Sequence, residues 1–333
     1  MKILFLGGTR FMGYFAAKYA LARGHEVTLF NRGKSAPDAF PQAEQIVGDR
    51  DADIKRLRGR QWDTVIDTSG YVPRIVHKSA EVLADAVSQY LFVSSISAYA
   101  EPFTPGQDET APLEVLADPT TEDVSAHYGG LKALCERIVQ DAQGKRTLIV
   151  RPDVFVGPRD HTGRFDYWVR RVAKGGEMLA PASPDLPLQF IDARDLGEWM
   201  IRLVETQTTG IFNAVGPKQP LTWGEFLDTC KSVSGSDVYF TWVTEKFLLD
   251  HNVAPWQDLP LWLPEESKAG HMISNQRAIA ADLTYRPLTE TVTDTLNWLN
   301  EDMAAALERQ RNTLSTEREQ TLLQEWHTNE ARV

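Results

Sequence analysis

Tyr128-Gly129-Gly130-Leu131-Lys132 places a phenol and an amine four residues apart. On a helix that spacing projects both from one face, so they can meet a single ligand together. A free phenol titrates at about 10, and a neighbouring ammonium stabilises the phenolate and lowers that value. So matched, the tyrosine can donate a proton to a nascent alkoxide or take one from an alcohol. Such a pair also arises by chance on solvated helices, and a second element adds to it. Tyr90-Leu91-Phe92-Val93-Ser94-Ser95-Ile96-Ser97 reads as an apolar strand ending in hydroxyls. Ligands of open parallel sheets bind beyond the carboxyl ends of the strands, where Ser95 would sit and could orient a substrate oxygen against the tyrosine.

These groups need a scaffold. Short apolar runs at 3–6, 26–30, 44–47, 64–67, 90–94 and 147–150 alternate with helical patterns, notably through Ala16, Ala17, Ala20 and Leu21, then at 76–87 and 126–139. Strands alternating with helices of this length predict βαβ units, hence a parallel sheet covered on both faces. After about residue 155 the pattern loosens around Pro158, Pro181, Pro184 and Pro187. Short strands are expected near 190–191 and 211–212, flanking a helix at 196–204. Residues 217–300 read as an irregular lobe rich in Trp and Pro, and from 301 the chain is charged and helix-prone without a clear apolar stripe. That last segment is expected to be a solvated terminal helix or frayed end.

Gly7-Gly8-Thr9-Arg10-Phe11-Met12-Gly13 falls between the first strand and the first helix. Glycine there lets the backbone turn sharply and approach a pyrophosphate, while the helix N-terminus offers its amides to the anion. The strand-then-helix context marks a dinucleotide site. An acidic residue ending the second strand would bond the adenosine ribose, but Asn31 and Arg32 stand there, with Arg10 in the loop and Lys34 nearby. Cations without a carboxylate suit a 2′-phosphate, so NADP(H) is the expected cofactor and NAD the alternative. Asp49, after the third strand, is placed to reach the adenine.

Together these residues resemble the extended short-chain dehydrogenase/reductase family of NAD(P)-dependent epimerases, dehydratases and reductases. The resemblance covers about residues 1–300. It rests on the glycine loop, Asp49, the serine strand ending at Tyr99, the YxxxK pair, Leu148-Ile149-Val150-Arg151-Pro152, Val156-Gly157-Pro158 and Phe190-Ile191-Asp192-Ala193-Arg194-Asp195-Leu196. It implies an α/β fold, a Rossmann-type doubly wound parallel sheet with a smaller, irregular C-terminal substrate lobe. The expected boundaries are 1–155 plus about 189–215 for the NADP-binding domain, 156–188 and 216–300 for the substrate lobe, and 301–333 for a charged helical tail. By the same resemblance Ser95, Tyr128 and Lys132 are the catalytic triad, with Lys132 also holding the nicotinamide ribose. Gly7, Thr9, Arg10, Phe11, Met12, Gly13, Asn31, Arg32, Asp49, Arg50, Thr68, Ser69, Gly70, Tyr128, Lys132 and Pro152 would surround the cofactor, and a homodimer through the helix bearing Tyr128 is implied.

Departures from the family pattern narrow the reading. Arg10 occupies the middle glycine position of GxxGxxG, which is similar to a GGTRF-type branch that includes reductase-like and epimerase-like proteins and some chloroplast RNA-associated relatives. Ile96 and Ser97 stand where dehydratases carry Asp-Glu, so elimination lacks its acid and base. Val154 replaces the asparagine that nucleotide-sugar enzymes use toward the sugar-nucleotide phosphate. The expected function is therefore an NADP(H)-dependent oxidoreductase acting on a small-molecule carbonyl or alcohol. An epimerase acting on a sugar or related polyol is the neighbouring reading, and a dinucleotide-sensing or RNA-associated protein the non-enzymatic one. Substrate contacts are expected from Ser97, Tyr99, His161 and Arg164, with Tyr71, Arg74 and Trp168 as further groups that could approach.

Composition bounds the partners. The 333 residues are 42% hydrophobic and 24% charged, an ordinary globular balance, and the net charge of -11 repels nucleic acid and anionic lipid. No apolar run reaches the ~18 residues of a membrane span, and the first residues make a poor signal peptide. Cys135 and Cys230 lack metal-ligand spacing, so no metal is expected and a cytoplasmic setting is.

Overall fold

The computed structural model describes residues 1–301 and 313–330. The chain divides into two compact units: Met1–Phe155 with Ile191–Lys218 and Ile273–Tyr285, and Val156–Phe190 with Gln219–Met272 and Arg286–Val333.

The first unit is built on seven parallel strands. They are β1 (Lys2–Leu6), β2 (Glu26–Asn31), β3 (Glu44–Val47), β4 (Trp62–Asp67), β5 (Val87–Val93), β6 (Thr147–Pro152) and β7 (Gly210–Ala214), in the spatial order β7-β6-β5-β4-β1-β2-β3. The order reverses between β1 and β4, which opens a crevice at their carboxyl ends. Alternate residues of β1 face opposite cores. Ile3 and Phe5 pack with Ala16, Ala17 and Ala20 of helix α1 (Phe11–Ala22) and with Trp199 and Met200 of the helix Ala193–Glu205. Leu4 and Leu6 pack with Val76 and Ala80 of α2 (Pro73–Val82) and Cys135 and Val139 of α3 (Val124–Gln143). Burial on both faces is why the strands read as unbroken apolar runs rather than alternating ones. The helix α2 begins three residues earlier than its apolar spacing predicts, because Pro73 fits the first helical turn, where no amide partner is needed.

In the second unit Glu177–Pro181 pairs in parallel with Tyr239–Val243. Phe165, Trp168, Trp223 and Phe226 form its aromatic centre, with Trp168 and Trp223 rings 4.7 Å apart. Trp168 is fully buried and its indole N–H donates to the Pro260 carbonyl at 2.7 Å, so it serves packing rather than an open surface.

Of the expected tail, residues 302–312 and 331–333 lie outside the described residues. The helix Thr316–Glu330 is not the solvated end that its charge pattern predicts. Leu322 and Leu323 are buried, and Trp326 sits edge-on to Phe247. The Glu319 carboxylate, itself buried, accepts from Arg171 Nε at 2.7 Å and from the Leu179 amide at 3.0 Å. Two adjacent leucines and one paired carboxylate dock this helix without producing a recognisable stripe. Leu322→Ala is therefore expected to cost about 2–4 kcal/mol, read as a lower urea midpoint; an unchanged midpoint would show that the helix is not docked.

Candidate functional site

The chain leaves β1 through Gly7 (φ 105°) and Gly8 (φ 85°), left-handed conformations that favour glycine. The Gly7 amide donates to the Phe30 carbonyl at 2.9 Å and the Gly8 amide to Thr68 Oγ1 at 3.3 Å. A Cβ on Gly7 would lie 2.4 Å from Thr68 Oγ1, so no side chain fits where the turn crosses the end of β4. Arg10 holds the N-cap of α1 and makes no side-chain cap bond; a guanidinium has no acceptor to offer the first-turn amides. That helix start also lacks an acidic residue in its first turn, leaving an electropositive end suited to an anion. Thr9 is buried beside the turn. Phe11 and Met12 send their side chains into the core, with the Phe11 ring 5.2 Å from Phe155, so their contribution toward a ligand is limited to backbone. Gly13 packs against the backbone of Gly8.

At the end of β2, Asn31 Oδ1 accepts from the Gly33 amide at 2.7 Å and its amide nitrogen reaches the Gly7 carbonyl at 3.5 Å. Arg10 and Arg32 are both exposed. Asp49 is also exposed and caps the short helix Arg50–Asp53, accepting from the Asp51 amide at 2.9 Å. Arg50, expected to face the cofactor, is instead turned inward. Its guanidinium grips the Asp67 carboxylate at 2.6 and 2.5 Å and donates from Nε to Ser79 Oγ at 2.9 Å. Asp67 is fully buried and accepts as well from the Tyr90 hydroxyl at 2.8 Å. Neither Asp67 nor Tyr90 stood out in the sequence. The available signal was a carboxylate closing an otherwise apolar strand, which demands a partner once buried.

Beyond β4, Thr68 Oγ1 and Ser69 Oγ both donate to the Leu6 carbonyl, at 3.0 and 3.1 Å, and Gly70 follows. Lys132 reaches this loop from α3. Its ammonium, 2% exposed, donates to the Gly70 carbonyl at 2.6 Å and to the Val93 carbonyl at 2.7 Å, joining the ends of β4 and β5. The same nitrogen lies 4.3 Å from the Phe92 ring centre and 5.3 Å from that of Tyr71. Burial pushes the Lys132 ammonium down to about 8.

Ser95, buried just past β5, caps the turn Ile96–Ala98 by accepting from the Ser97 amide at 3.1 Å. The helix α3 starts at an Asp123 cap and kinks at His127 (φ -131°, ψ 31°), so Tyr128 opens its regular part. A Cβ on Gly129 would lie 2.1 Å from the Ser97 carbonyl oxygen. Glycine there lets the turn bearing Tyr128 press against the one bearing Ser95 and Ser97. The Tyr128 ring also stands 6.4 Å from that of Tyr71, which is 45% exposed.

The glycine turn, Thr68–Gly70, Lys132 and the Ser95 turn thus form one bonded series across the carboxyl ends of β1, β4 and β5. The other expected residues have different settings. Tyr99 is not a substrate-facing group: it is 1% exposed, its hydroxyl donates to Asn213 Oδ1 at 2.7 Å, and its ring is covered by Arg151, which is paired with Glu136. Pro152 is buried at the end of β6 and Ser97 is exposed. His161 and Arg164 belong to the second unit, where the Arg164 guanidinium lies 5.5 Å over the Trp256 ring. Arg74 is tied to Asp51 and Glu122. Among the described residues no three His, Cys, Asp or Glu side chains are grouped to hold a metal, and no helix is long and apolar enough to cross a membrane.

The sequence model of a family described as the NAD dependent epimerase/dehydratase family matches residues 3–214. Among curated proteins, the chloroplast stem-loop binding protein of 41 kDa b from Arabidopsis thaliana is 28% identical over 258 residues. That alignment takes in 70% of this chain and 63% of the relative, so the chain spans less than two thirds of the relative's length. The fold is similar to that of the Bordetella bronchiseptica enzyme WbmH in complex with NAD+, with a TM-score of 0.68, 16% identity, and 90% and 99% of the two chains covered. It is also similar to UDP-glucuronic acid 4-epimerase from Bacillus cereus in complex with NAD, with a TM-score of 0.66, 14% identity, and 92% and 100% covered.

The desolvated ammonium has a consequence for stability. Between about 8 and the ordinary 10.5, Lys132 is neutral in the folded chain and charged in the unfolded one. The unfolded state then binds more protons, so this group's contribution to stability rises with pH across that window. Lys132→Met removes the titration. The wild-type advantage over this variant in unfolding free energy is expected to grow from pH 8 to 10, and a difference independent of pH would contradict the desolvation.

Proposed function

The chain belongs to the NAD dependent epimerase/dehydratase family, and on that footing we propose that it is an NADP(H)-dependent oxidoreductase acting on a small-molecule carbonyl or alcohol. The observation that carries this reading is the position of Lys132. Its ammonium spans Gly70 and Val93, next to the loop beside the glycine turn and to the strand that delivers Ser95, on the helix that opens with Tyr128.

The residues present suit a dinucleotide. The glycine turn is a cradle that a Cβ would fill, the start of α1 is electropositive, and Arg10 and Arg32 are exposed cations where a 2′-phosphate would be received. Asp49 stands exposed for the adenine. When bound, the dinucleotide supplies or accepts the hydride. Tyr128 gives its phenolic proton to the oxygen of the reduced carbonyl, or takes it back in the reverse direction. The Lys132 charge stabilises the phenolate left behind, and the Ser95 hydroxyl orients the reacting oxygen.

Epimerisation is the second reading, and the description of the family favours it. Val154, which cannot donate from its side chain to a sugar-nucleotide phosphate, and the Arg10/Arg32 pair favour reduction with a phosphorylated cofactor. The relative's name as a stem-loop binding protein suggests a nucleic-acid role. A net charge of -11 opposes that role for this chain.

Tyr128→Phe keeps the ring and deletes the proton. It is expected to lower kcat about 10²–10⁴-fold on whichever substrate a carbonyl screen with NADPH identifies, while the Kd for NADP+ stays within about twofold. Turnover undiminished in this variant would overturn the assignment of the acid.

A further inference from the structure

We propose that the buried Arg50–Asp67 pair is a positioning device for the adenosine half of the dinucleotide. Arg50 starts immediately after Asp49, at the end of β3, whereas Asp67 closes β4. In the sheet β1 and β2 lie between those two strands. The bonded pair therefore ties the chain that follows β3 to the end of β4, two strands that are not neighbours in the sheet. The bidentate bonds at 2.6 and 2.5 Å fix that span, and the network extends from it to both rims. On one side Arg50 follows the Asp49 cap and bonds Ser79; on the other, Asp67 Oδ1 accepts from the Ser69 amide at 3.2 Å and Arg50 approaches Ser69 Oγ at 3.4 Å. Tyr90 holds the second carboxylate oxygen from β5's side.

Stability alone is a weak reason for such an arrangement. A buried ion pair repays its desolvation only with good geometry, and well-packed apolar residues of similar volume are often as stable or more so. What apolar residues cannot supply is a fixed distance and direction. A planar fork on a carboxylate sets both. Here the fork sets the separation between the Asp49 turn and the Thr68–Gly70 loop, the two edges between which the adenosine and pyrophosphate would lie. Arg50 and Asp67 thus act through Asp49 and Ser69 rather than by touching the ligand.

The inference rests on the proposed reading of this unit as a dinucleotide site, and its test separates the two. The full chain and the triple variant Arg50→Met/Asp67→Leu/Tyr90→Phe, which removes the pair without stranding the phenol, are titrated calorimetrically with NADP+, 2′,5′-ADP and nicotinamide mononucleotide. The variant is expected to melt cooperatively and to bind NADP+ and 2′,5′-ADP at least about tenfold more weakly, with the Kd for nicotinamide mononucleotide changed less than about twofold. A folded variant that binds 2′,5′-ADP as tightly as the wild type overturns the inference and leaves the dinucleotide reading intact. A wild-type chain that binds none of the three overturns both. Should the triple variant not fold, Arg50→Lys keeps the charge but loses the fork. It is expected to weaken 2′,5′-ADP about threefold or more relative to nicotinamide mononucleotide, and equal affinity overturns the inference.

Discussion

A buried ammonium with two carbonyl acceptors holds the candidate site in register. Lys132 is removed from water, and its donated bonds to Gly70 and Val93 compensate for the lost hydration. The consequence is geometric. The Val93 carbonyl ends β5 and the Gly70 carbonyl lies in the loop after its neighbour β4, so one side chain fixes the loop beside the glycine turn, the approach to Ser95 and the helix that presents Tyr128. The nearby carboxylates are already engaged by arginines, Asp67 by Arg50 and Glu136 by Arg151, and among the described residues no carboxylate is bonded to the ammonium. A positive centre kept in a dry place is what a phenol needs to become an acid near neutral pH.

Close approach is the second constraint. Two turns meet neighbouring chain at distances that exclude any side chain: Gly7 over Thr68, and Gly129 over the Ser97 carbonyl. The first leaves the start of α1 uncrowded by a side chain, and the second seats the helix bearing Tyr128 on the serine turn. The glycines therefore act both beside β4 and beside the turn that follows β5. Arg10 alters the first of these ends by adding an exposed cation without disturbing the turn.

Much of the fold was legible because a parallel sheet buried on both faces writes itself as unbroken apolar runs at regular spacing. The glycine turn was legible from its context between strand and helix. The ion pairs were not. Arg50 follows Asp49 and looked ligand-facing, but its direction is decided by Asp67, seventeen residues away and across two intervening strands. Tyr99 follows the serine motif and looked like a lining residue, yet its hydroxyl is claimed by Asn213 on the edge strand. The helix Thr316–Glu330 is mostly polar, and only the three-dimensional meeting of Glu319 with Arg171 and of Trp326 with Phe247, with Leu322 buried, reveals that it is docked. In each case a polar or isolated residue acquires its role from a partner distant in sequence, which periodicity cannot register.

The central claim is that a phosphorylated dinucleotide lies along the carboxyl ends of β1, β2, β4 and β5. Amide hydrogen exchange by mass spectrometry tests it most directly, comparing the free chain with the chain saturated by NADP+ or NAD+. The account predicts that NADP+ slows exchange in peptides spanning residues 7–13, 31–34, 68–71, 93–97 and 128–132, and that NAD+ protects 31–34 less. Protection absent from these segments, or equal protection of 31–34 by both dinucleotides, would contradict it.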